Sequence, residues 1–411
     1  MNRVVLGDIA EIITGPFGSM LHKSDYVEEG FPLVMPQDIG DRIINFDSIA
    51  KISEIDAIRL EKYEAVENDI IYARRGDVEK HAFVVSEYGK IFCGTGCLRV
   101  RVNPEKANPL FISFYLSRPE SREWISKHAV GSNMPNINTE ILSDVPIELS
   151  DKAQQQKVVD FLSATERKIL HNRKINDNLE QQAKLIYDYW FTQFDFPDEN
   201  GKPYCSSGGK MVWNAQLKRN IPENWNVVPL LKLVSWESNS QPPKNKFVYE
   251  PKEGYVRFIQ NRDYDSDTHI TYIPRTKNLS IVDRFDILMD KYGDADAVRY
   301  GIEGAFNVAL GKICVHNPNY REYIRSFLGS DGIYKFLHNS CMASTRASLS
   351  EANLAILNVV VPDEKIILDY ENFLHKIRVS ILKNKDETVE LINLRDWLLP
   401  MLMNGQATIA D

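Results

Sequence analysis

Several short runs hold residue types that could do chemistry. Asn317-Pro318-Asn319-Tyr320 is one residue away from the Asn/Asp-Pro-Pro-aromatic motif that holds a flipped adenine. Its third residue is wrong, and the glycine-rich nucleotide loop of such an enzyme is missing. Gly15-Pro16-Phe17-Gly18 lacks the flanking strand and acidic pattern, and Gln241-Pro242-Pro243-Lys244 fits no better. The Asn317 run therefore reads as a turn before a helix. Gly311-Lys312-Ile313 lacks the loop and the hydroxyl of a G-x-x-x-x-G-K-[ST] phosphate cradle. Glu166-Arg167-Lys168 has a nuclease-like composition but falls in a helical pattern, as a solvated charged face. Cys93-Gly94-Thr95-Gly96-Cys97 resembles a metal clip, yet no second Cys or His pair has zinc spacing. The expectation is a chain with no catalytic residue, no metal site and no cofactor of its own.

The elements that would position a site are written twice. Shifted by 212 residues, Ile169-Leu170-His171-Asn172 falls on Ile381-Leu382-Lys383-Asn384, and Phe161-Leu162 on Phe373-Leu374. Tyr115-Leu116 meets Phe327-Leu328, and Gly131-Ser132-Asn133 meets Ala343-Ser344-Thr345. The same shift sets Cys93 and Cys97 on Ala305 and Ala309. At nearby offsets the run from Asp69 to Asp77 resembles that from Asp286 to Asp294, and Leu33 to Asp38 resembles Phe258 to Asp263. One offset held over such a span marks an internal repeat.

Each half opens with short apolar runs broken by Gly, Pro, Asn and Asp. Residues 70–73, 82–85 and 97–102 read as strands of an α+β domain, with short helices at 109–116 and 320–328. Each half closes with a long helix. Val158, Leu162, Thr165, Ile169, Asn172, Asn176, Leu179, Ala183, Ile186 and Trp190 are spaced by alternating steps of four and three. Tyr370, Leu374, Ile377, Ile381, Asn384, Thr388, Leu391, Arg395, Leu398 and Leu402 repeat the pattern. This is a heptad seam, and two matched seams in one chain predict an antiparallel coiled coil. Asn172 and Asn384 share a repeat position, where an amide costs stability but fixes register. Trp190, Phe191, Trp397 and Leu398 near the helix ends are expected to pack in a core or to receive a partner's helix. Residues 196–223 are turn-rich, as a connection would be.

Five cysteines do not make a disulfide framework, and no apolar run suits a signal or a membrane helix. A cytoplasmic protein is expected. The formal charge is −8. Residues 1–150 hold 16 basic and 23 acidic side chains, and residues 196–362 hold 20 and 18. A binder of nucleic acid on this charge needs local clusters or partners that add contacts.

The whole chain resembles the specificity subunits of type I restriction–modification systems. The resemblance rests on the domain–helix–domain–helix order and on particular phrases. These are Leu6-Gly7-Asp8-Ile9-Ala10-Glu11-Ile12, Gly131-Ser132-Asn133-Met134-Pro135-Asn136-Ile137 and Tyr187-Asp188-Tyr189-Trp190-Phe191. Phe194-Asp195-Phe196-Pro197 and Ile221-Pro222-Glu223-Asn224-Trp225 flank the connection. Ala343-Ser344-Thr345-Arg346-Ala347-Ser348-Leu349 departs from the family phrase, so different contacts are expected in the second half. The resemblance implies target-recognition domains at 1–150 and 223–362 and conserved spacer helices at 151–195 and 363–405. A linker at 196–222 and a tail at 406–411 complete the division. It also implies double-stranded DNA as ligand and two modification (methyltransferase) subunits and restriction subunits as partners. S-adenosylmethionine, ATP and magnesium would belong to those partners, and no membrane is involved.

Base edges are read by Arg, Lys, Asn and Gln, and phosphates by Lys, Arg, Ser, Thr and backbone amides. In the first half the expected readers are Gln37, Arg74, Arg75, Lys80, Ser132, Asn133 and Asn136. In the second they are Gln260, Asn261, Arg262, Lys291, Tyr292, Ser344, Thr345 and Arg346. Asp38, Asp69 and Asp263 are expected to hold turns. The rival readings are a stand-alone two-armed DNA-binding protein, an enzyme with an unrecognised site, and a coiled-coil scaffold that never touches nucleic acid.

Overall fold

The computed structural model describes residues 2–131, 134–264, 269–292, 297–342, 348–407 and 409. The chain divides into two units, residues 1–170 with 388–411, and residues 171–387. The fold is α+β, a tandem repeat in which each half ends in a long helix: α1 (Lys152–Tyr187) and α2 (Glu364–Met403).

The first unit holds β1 (Ala10–Thr14), β2 (Phe31–Val34), β3 (Asp69–Ala73), β4 (Ile91–Cys93) and β5 (Cys97–Val102). Strand β5 is central and antiparallel to two neighbours, with Val100 opposite Ile12 on one side and Ile70 on the other. Alternation sends Leu98, Val100 and Val102 to one face. There they join Phe111 and Phe114 in the core. On the alternate positions, Arg101 forks onto Asp69 at 2.8 and 2.7 Å. Strands β2 and β4 run parallel, with Leu33 opposite Phe92 and Val34 opposite Cys93. The helix Pro109–Leu116 starts at Asn108, whose side chain accepts bonds from the amides of Leu110 and Phe111. Pro109 follows in the first turn, where its missing N–H costs nothing.

The second unit repeats this plan with β6 (Val234–Ser238), β7 (Tyr255–Ile259), β8 (Ile287–Asp290), β9 (Gly304–Phe306) and β10 (Leu310–Val315). Strand β10 lies between β6 and β8, as β5 lies between β1 and β3. Strands β7 and β9 run parallel, with Phe258 opposite Ala305 and Ile259 opposite Phe306. The offset of 212 relates Pro109–Leu116 to Arg321–Leu328, Thr139–Ser143 to Glu351–Ala355, and Pro146–Leu149 to Asn358–Val361. Upstream the register differs by one. The first unit has six residues (103–108) between β5 and the next helix, where the second has five (316–320). The strand pairings therefore set Cys93 opposite Phe306 and Cys97 opposite Leu310 in the repeat, correcting the expected Ala305 and Ala309.

The two long helices pair antiparallel within each unit. In the second, the Asn172 amide donates to Glu387 at 2.8 Å, and Asn384 donates to the Asn176 side chain at 2.9 Å. Glu180 pairs with Arg378. Positions rise on α1 as they fall on α2. Asn172 and Asn384 thus bond not to each other but each to a different partner, because antiparallel pairing brings unlike repeat positions together. In the first unit Glu166 lies 3.8 Å from Arg395. Val158 and Leu162 of α1 share a core there with Leu399, Leu402 and Met403 of α2. Of the remaining seam residues, Ile169, Leu374 and Ile381 are buried, and Leu179, Ile186, Leu391 and Leu398 are half-buried.

The turn-rich connection contains more structure than its composition suggests. Met211–Asn214 pairs with Arg219–Pro222 as a hairpin. Phe194, Phe196 and Trp225 are buried with Phe191 in the core of the second unit. Phe191 lies 4.6 Å from Tyr323 and 4.8 Å from Tyr370, ring centre to ring centre. Trp397, in contrast, is 65% exposed.

Leu162 is fully buried. Leu162→Ala should lower unfolding free energy by about 2–5 kcal/mol, as for other large-to-small core changes. Urea unfolding checks this; a loss below about 1 kcal/mol contradicts the packing of α1 into the first core.

Candidate nucleic-acid interface

The expected readers lie on loops at strand ends. In the first unit four loops converge: those after β1, β2 and β3, and the turn between β4 and β5. Backbone bonds tie them together. Gly15 N–H donates to Cys97 O at 2.9 Å, Gly94 N–H to Val34 O at 2.9 Å, and Arg74 N–H to Gly96 O at 2.8 Å. Glycine is required by the packing at Gly15, because a Cβ there would sit 2.1 Å from the Gly94 carbonyl. The loop around Asn136 closes the cluster. Ile137 N–H donates to Arg74 O at 3.0 Å, Gly76 N–H donates to Pro135 O at 3.1 Å, and Arg75 bridges to Asn136.

Gln37, Arg74, Arg75 and Asn136 are therefore gathered at one edge. Gln37 and Arg75 are exposed, while Arg74 and Asn136 are half-buried. Lys80 is half-buried and pairs with Asp77 at 2.7 Å. Three buried polar atoms of this edge lack a hydrogen-bond partner: Arg74 Nε, Thr95 Oγ1 and Asn136 Oδ1. Buried polar groups are normally paired, so these three atoms are the ones at this edge with bonding capacity left over. Thr95 was missed from sequence, although its position between Gly94 and Gly96 in a tight turn was a usable signal. Ser132 and Asn133 lie outside the described residues.

The second unit builds the same edge with other side chains. Lys291 N–H donates to Ala309 O at 2.8 Å, and Leu349 N–H to Lys291 O at 3.0 Å. These are the repeat counterparts of the two Arg74 backbone bonds. After β7, the Asp263 carboxylate accepts from Gln260 N–H at 3.1 Å, as Asp38 accepts from Met35 N–H at 2.8 Å after β2. Asp69 likewise accepts from Val66 N–H at 2.9 Å. Gln260, Asn261 and Arg262 thus follow β7 in the turn that carries Gln37 after β2. Gln260 donates to Thr271 Oγ1 at 3.1 Å. Lys291 donates to Ser238 Oγ at 2.9 Å and sits over the Trp236 ring. Partial burial holds its ammonium below the usual lysine pKa. Arg262 and Tyr292 are exposed. Ser344, Thr345 and Arg346 lie outside the described residues.

The other chemical runs take structural places. Asn317 Oδ1 accepts from Asn319 N–H at 3.1 Å in the turn that leads into Arg321–Leu328. Cys97 donates to Val34 O at 3.3 Å, and burial pushes the Cys93 thiol up to about 12. Among the described residues no cluster of His, Cys, Asp and Glu could hold a metal ion. No helix among them is long and apolar enough to cross a membrane.

Residues 1–181 match the family of the type I restriction modification DNA specificity domain. Over 467 aligned positions, 98% of each chain, the protein is 22% identical to the HindI type I restriction enzyme specificity subunit of Haemophilus influenzae. It is 22% identical over 316 positions to the MjaIX specificity subunit of Methanocaldococcus jannaschii, covering 72% of this chain and 69% of that one. Its fold matches a crystal structure of a type I restriction–modification S subunit from M. genitalium with a TM-score of 0.63. That match has 15% identity and covers 98% of this chain and 96% of the other.

Gly15→Ala should cost about 1–3 kcal/mol by overpacking against Gly94. The urea midpoint should fall with an unchanged slope; an unchanged midpoint contradicts the tight joining of these two loops.

Proposed function

We propose that this chain is a specificity subunit of the type I restriction–modification kind, as the match of residues 1–181 to that family's DNA specificity domain supports, and that it reads a two-part DNA target. It is a subunit for DNA sequence recognition. In this reading each unit contacts one half-site, and the paired helices set the spacing between half-sites. The chain carries out no catalysis itself. Two modification subunits bring S-adenosylmethionine and methylate adenine, and restriction subunits bring ATP-driven cleavage with magnesium. The assembly works in the cytoplasm.

One observation supports the reading most: the same hydrogen-bonded loop edge is built twice, around Arg74 and around Lys291. The scaffold bonds match, while the side chains it presents differ. That is what a reader of two unlike half-sites needs. Phosphate contacts would position each unit, and base contacts at the exposed side chains would select sequence. The acidic total charge fits a subunit whose partners add contacts to DNA.

Helix length provides the spacing. At 1.5 Å per residue, the 36 residues of α1 span about 54 Å. Half-sites read from one side of a duplex lie about 34–36 Å apart. Removing one heptad from each helix, residues 172–178 and 384–390, shortens both by the same amount and keeps their antiparallel register. The methylated motif of a host carrying this deletion should have a shorter spacer or be lost. An intact motif with the original spacer rejects the ruler.

Mapping methylated adenines with and without the gene tests the core of the proposal. A split motif present only with the gene is expected, and its absence in a host with active modification subunits rejects it. Arg75→Ala should then reduce affinity for that motif. If Arg75 meets a phosphate, the slope of log K against log salt falls by about one; if it meets a base, selectivity relaxes at one position. Unchanged affinity, slope and selectivity remove Arg75 from the interface.

A further inference from the structure

The ion pairs that join α1 to α2 carry a pattern that the heptad seams lack. In the first unit Glu166 of α1 lies 3.8 Å from Arg395 of α2 and also pairs with Arg42. In the second unit Arg378 of α2 pairs with Glu180 of α1 and reaches Glu322 at 3.1 Å. The 212-residue repeat makes Glu166 equivalent to Arg378. Equivalent positions therefore bear opposite charges. Their cross-helix partners also differ: Glu180 matches Ile392, and Arg395 matches Ala183.

Apart from Arg395, the seams themselves do not tell the two helices apart. Both are otherwise apolar with polar residues near the middle, and Asn172 is equivalent to Asn384. On seam packing alone, α1 of one copy could pair with α1 of another, and α2 with α2. The charges decide differently. In an α1–α1 pair, Glu166 takes the place of Arg378 and meets Glu180 of the other copy. In an α2–α2 pair, Arg378 takes the place of Glu166 and meets Arg395. Each like pairing sets two equal charges together, and does so twice by symmetry. Only α1 with α2 brings opposite charges together at both contacts.

Neighbouring groups do not relieve the conflict. Arg42 is buried and already committed, with Nε bonded to Ser113 Oγ at 3.0 Å and its guanidinium 3.6 Å above the Phe114 ring. Arg122 pairs with Asp41, and Arg325 pairs with Glu322. Tyr300 bonds to Glu180, and Lys385 sits over the Tyr300 ring. In the α2–α2 case Arg378 and Arg325 would share Glu322, and Arg395 would bring only Asp396, an exposed carboxylate already paired with it at 2.8 Å.

We propose that Glu166, Glu180, Arg378 and Arg395 form a charge code that admits α2 as the partner of α1 and refuses a like helix from a second copy. The code keeps the two recognition domains of one chain together and prevents exchange of like halves between chains. It does not depend on what the domains read.

Glu180→Arg with Arg395→Glu reverses the code. Both α1–α2 contacts then oppose equal charges, while α1–α1 and α2–α2 each gain opposite charges. The full-length protein and this double variant are compared by sedimentation velocity over a dilution series. The unaltered protein should stay monomeric. The variant should dimerise at a concentration at least about a hundredfold lower, because like-charge contacts cost several kcal/mol where opposite ones are favoured. High salt should weaken that dimer. Arg395→Glu alone, at a partly exposed site, provides the same test at one end if the double variant does not fold. Glu180→Ala loses a pair without making α1 self-complementary and should remain monomeric. Monomers in both charge-reversed variants overturn the proposal, as does equal dimerisation of Glu180→Ala.

Discussion

The structure depends on one constraint: each long helix has a seam that the α+β part of its own half covers only in part. The rest must be covered by the other helix. Leu399, Leu402 and Met403 at the end of α2 lie in the same core as Leu6 and Ile9 near the chain start. The first unit therefore contains residues 388–411 as well as 1–170. The burial of these three side chains makes the end of α2 part of the first unit's own core. Full burial of a leucine or methionine gives roughly 1.5–3 kcal/mol, so the contact cannot be lost without a large cost.

Polar groups then determine which of the possible pairings is kept. Glu322, Arg325 and Arg378 are almost fully buried in the second unit. Taking such charges out of water costs about as much as their attraction returns, so they add little to net stability. Breaking one partner is another matter, since it leaves an uncompensated buried charge. These pairs act as selectors of geometry. The amides of Asn172, Asn176 and Asn384 act in the same way at the middle of the seam, where a shift in register would leave them unbonded.

The loop edge shows the opposite economy. Its scaffold is specified by backbone bonds that any side chain can make, so Arg74 and Lys291 occupy equivalent places with different heads. Side chains can change there without rebuilding the backbone scaffold. This is also why the edge was only partly legible. Gln37, Arg74 and Arg75 stood out as polar residues beside turns, and the structure gathers them. Thr95 did not: its place between two glycines marked a tight turn, but only the structure shows its hydroxyl buried and unpartnered. Residues 196–223 looked like a linker by composition, yet Phe196 and Ile221 belong to the second core and Tyr204 packs against it.

The amino-acid sequence alone determined the repeat, the two heptad seams, the strands of each half and the lack of catalytic motifs. All of these are periodic or local patterns, and local patterns are written directly in residue order. Only the tertiary structure decided which seam positions meet, that the end of α2 completes the first core, and that Cys93 corresponds to Phe306. It also decided which polar atoms at the loop edge are left without partners. These depend on side chains more than 200 residues apart, such as Asn172 and Glu387, and a repeat reveals likeness between positions but not contact between them. Antiparallel pairing brings unlike positions together, so the opposite charges of Glu166 and Arg378 acquired meaning only once their neighbours were known.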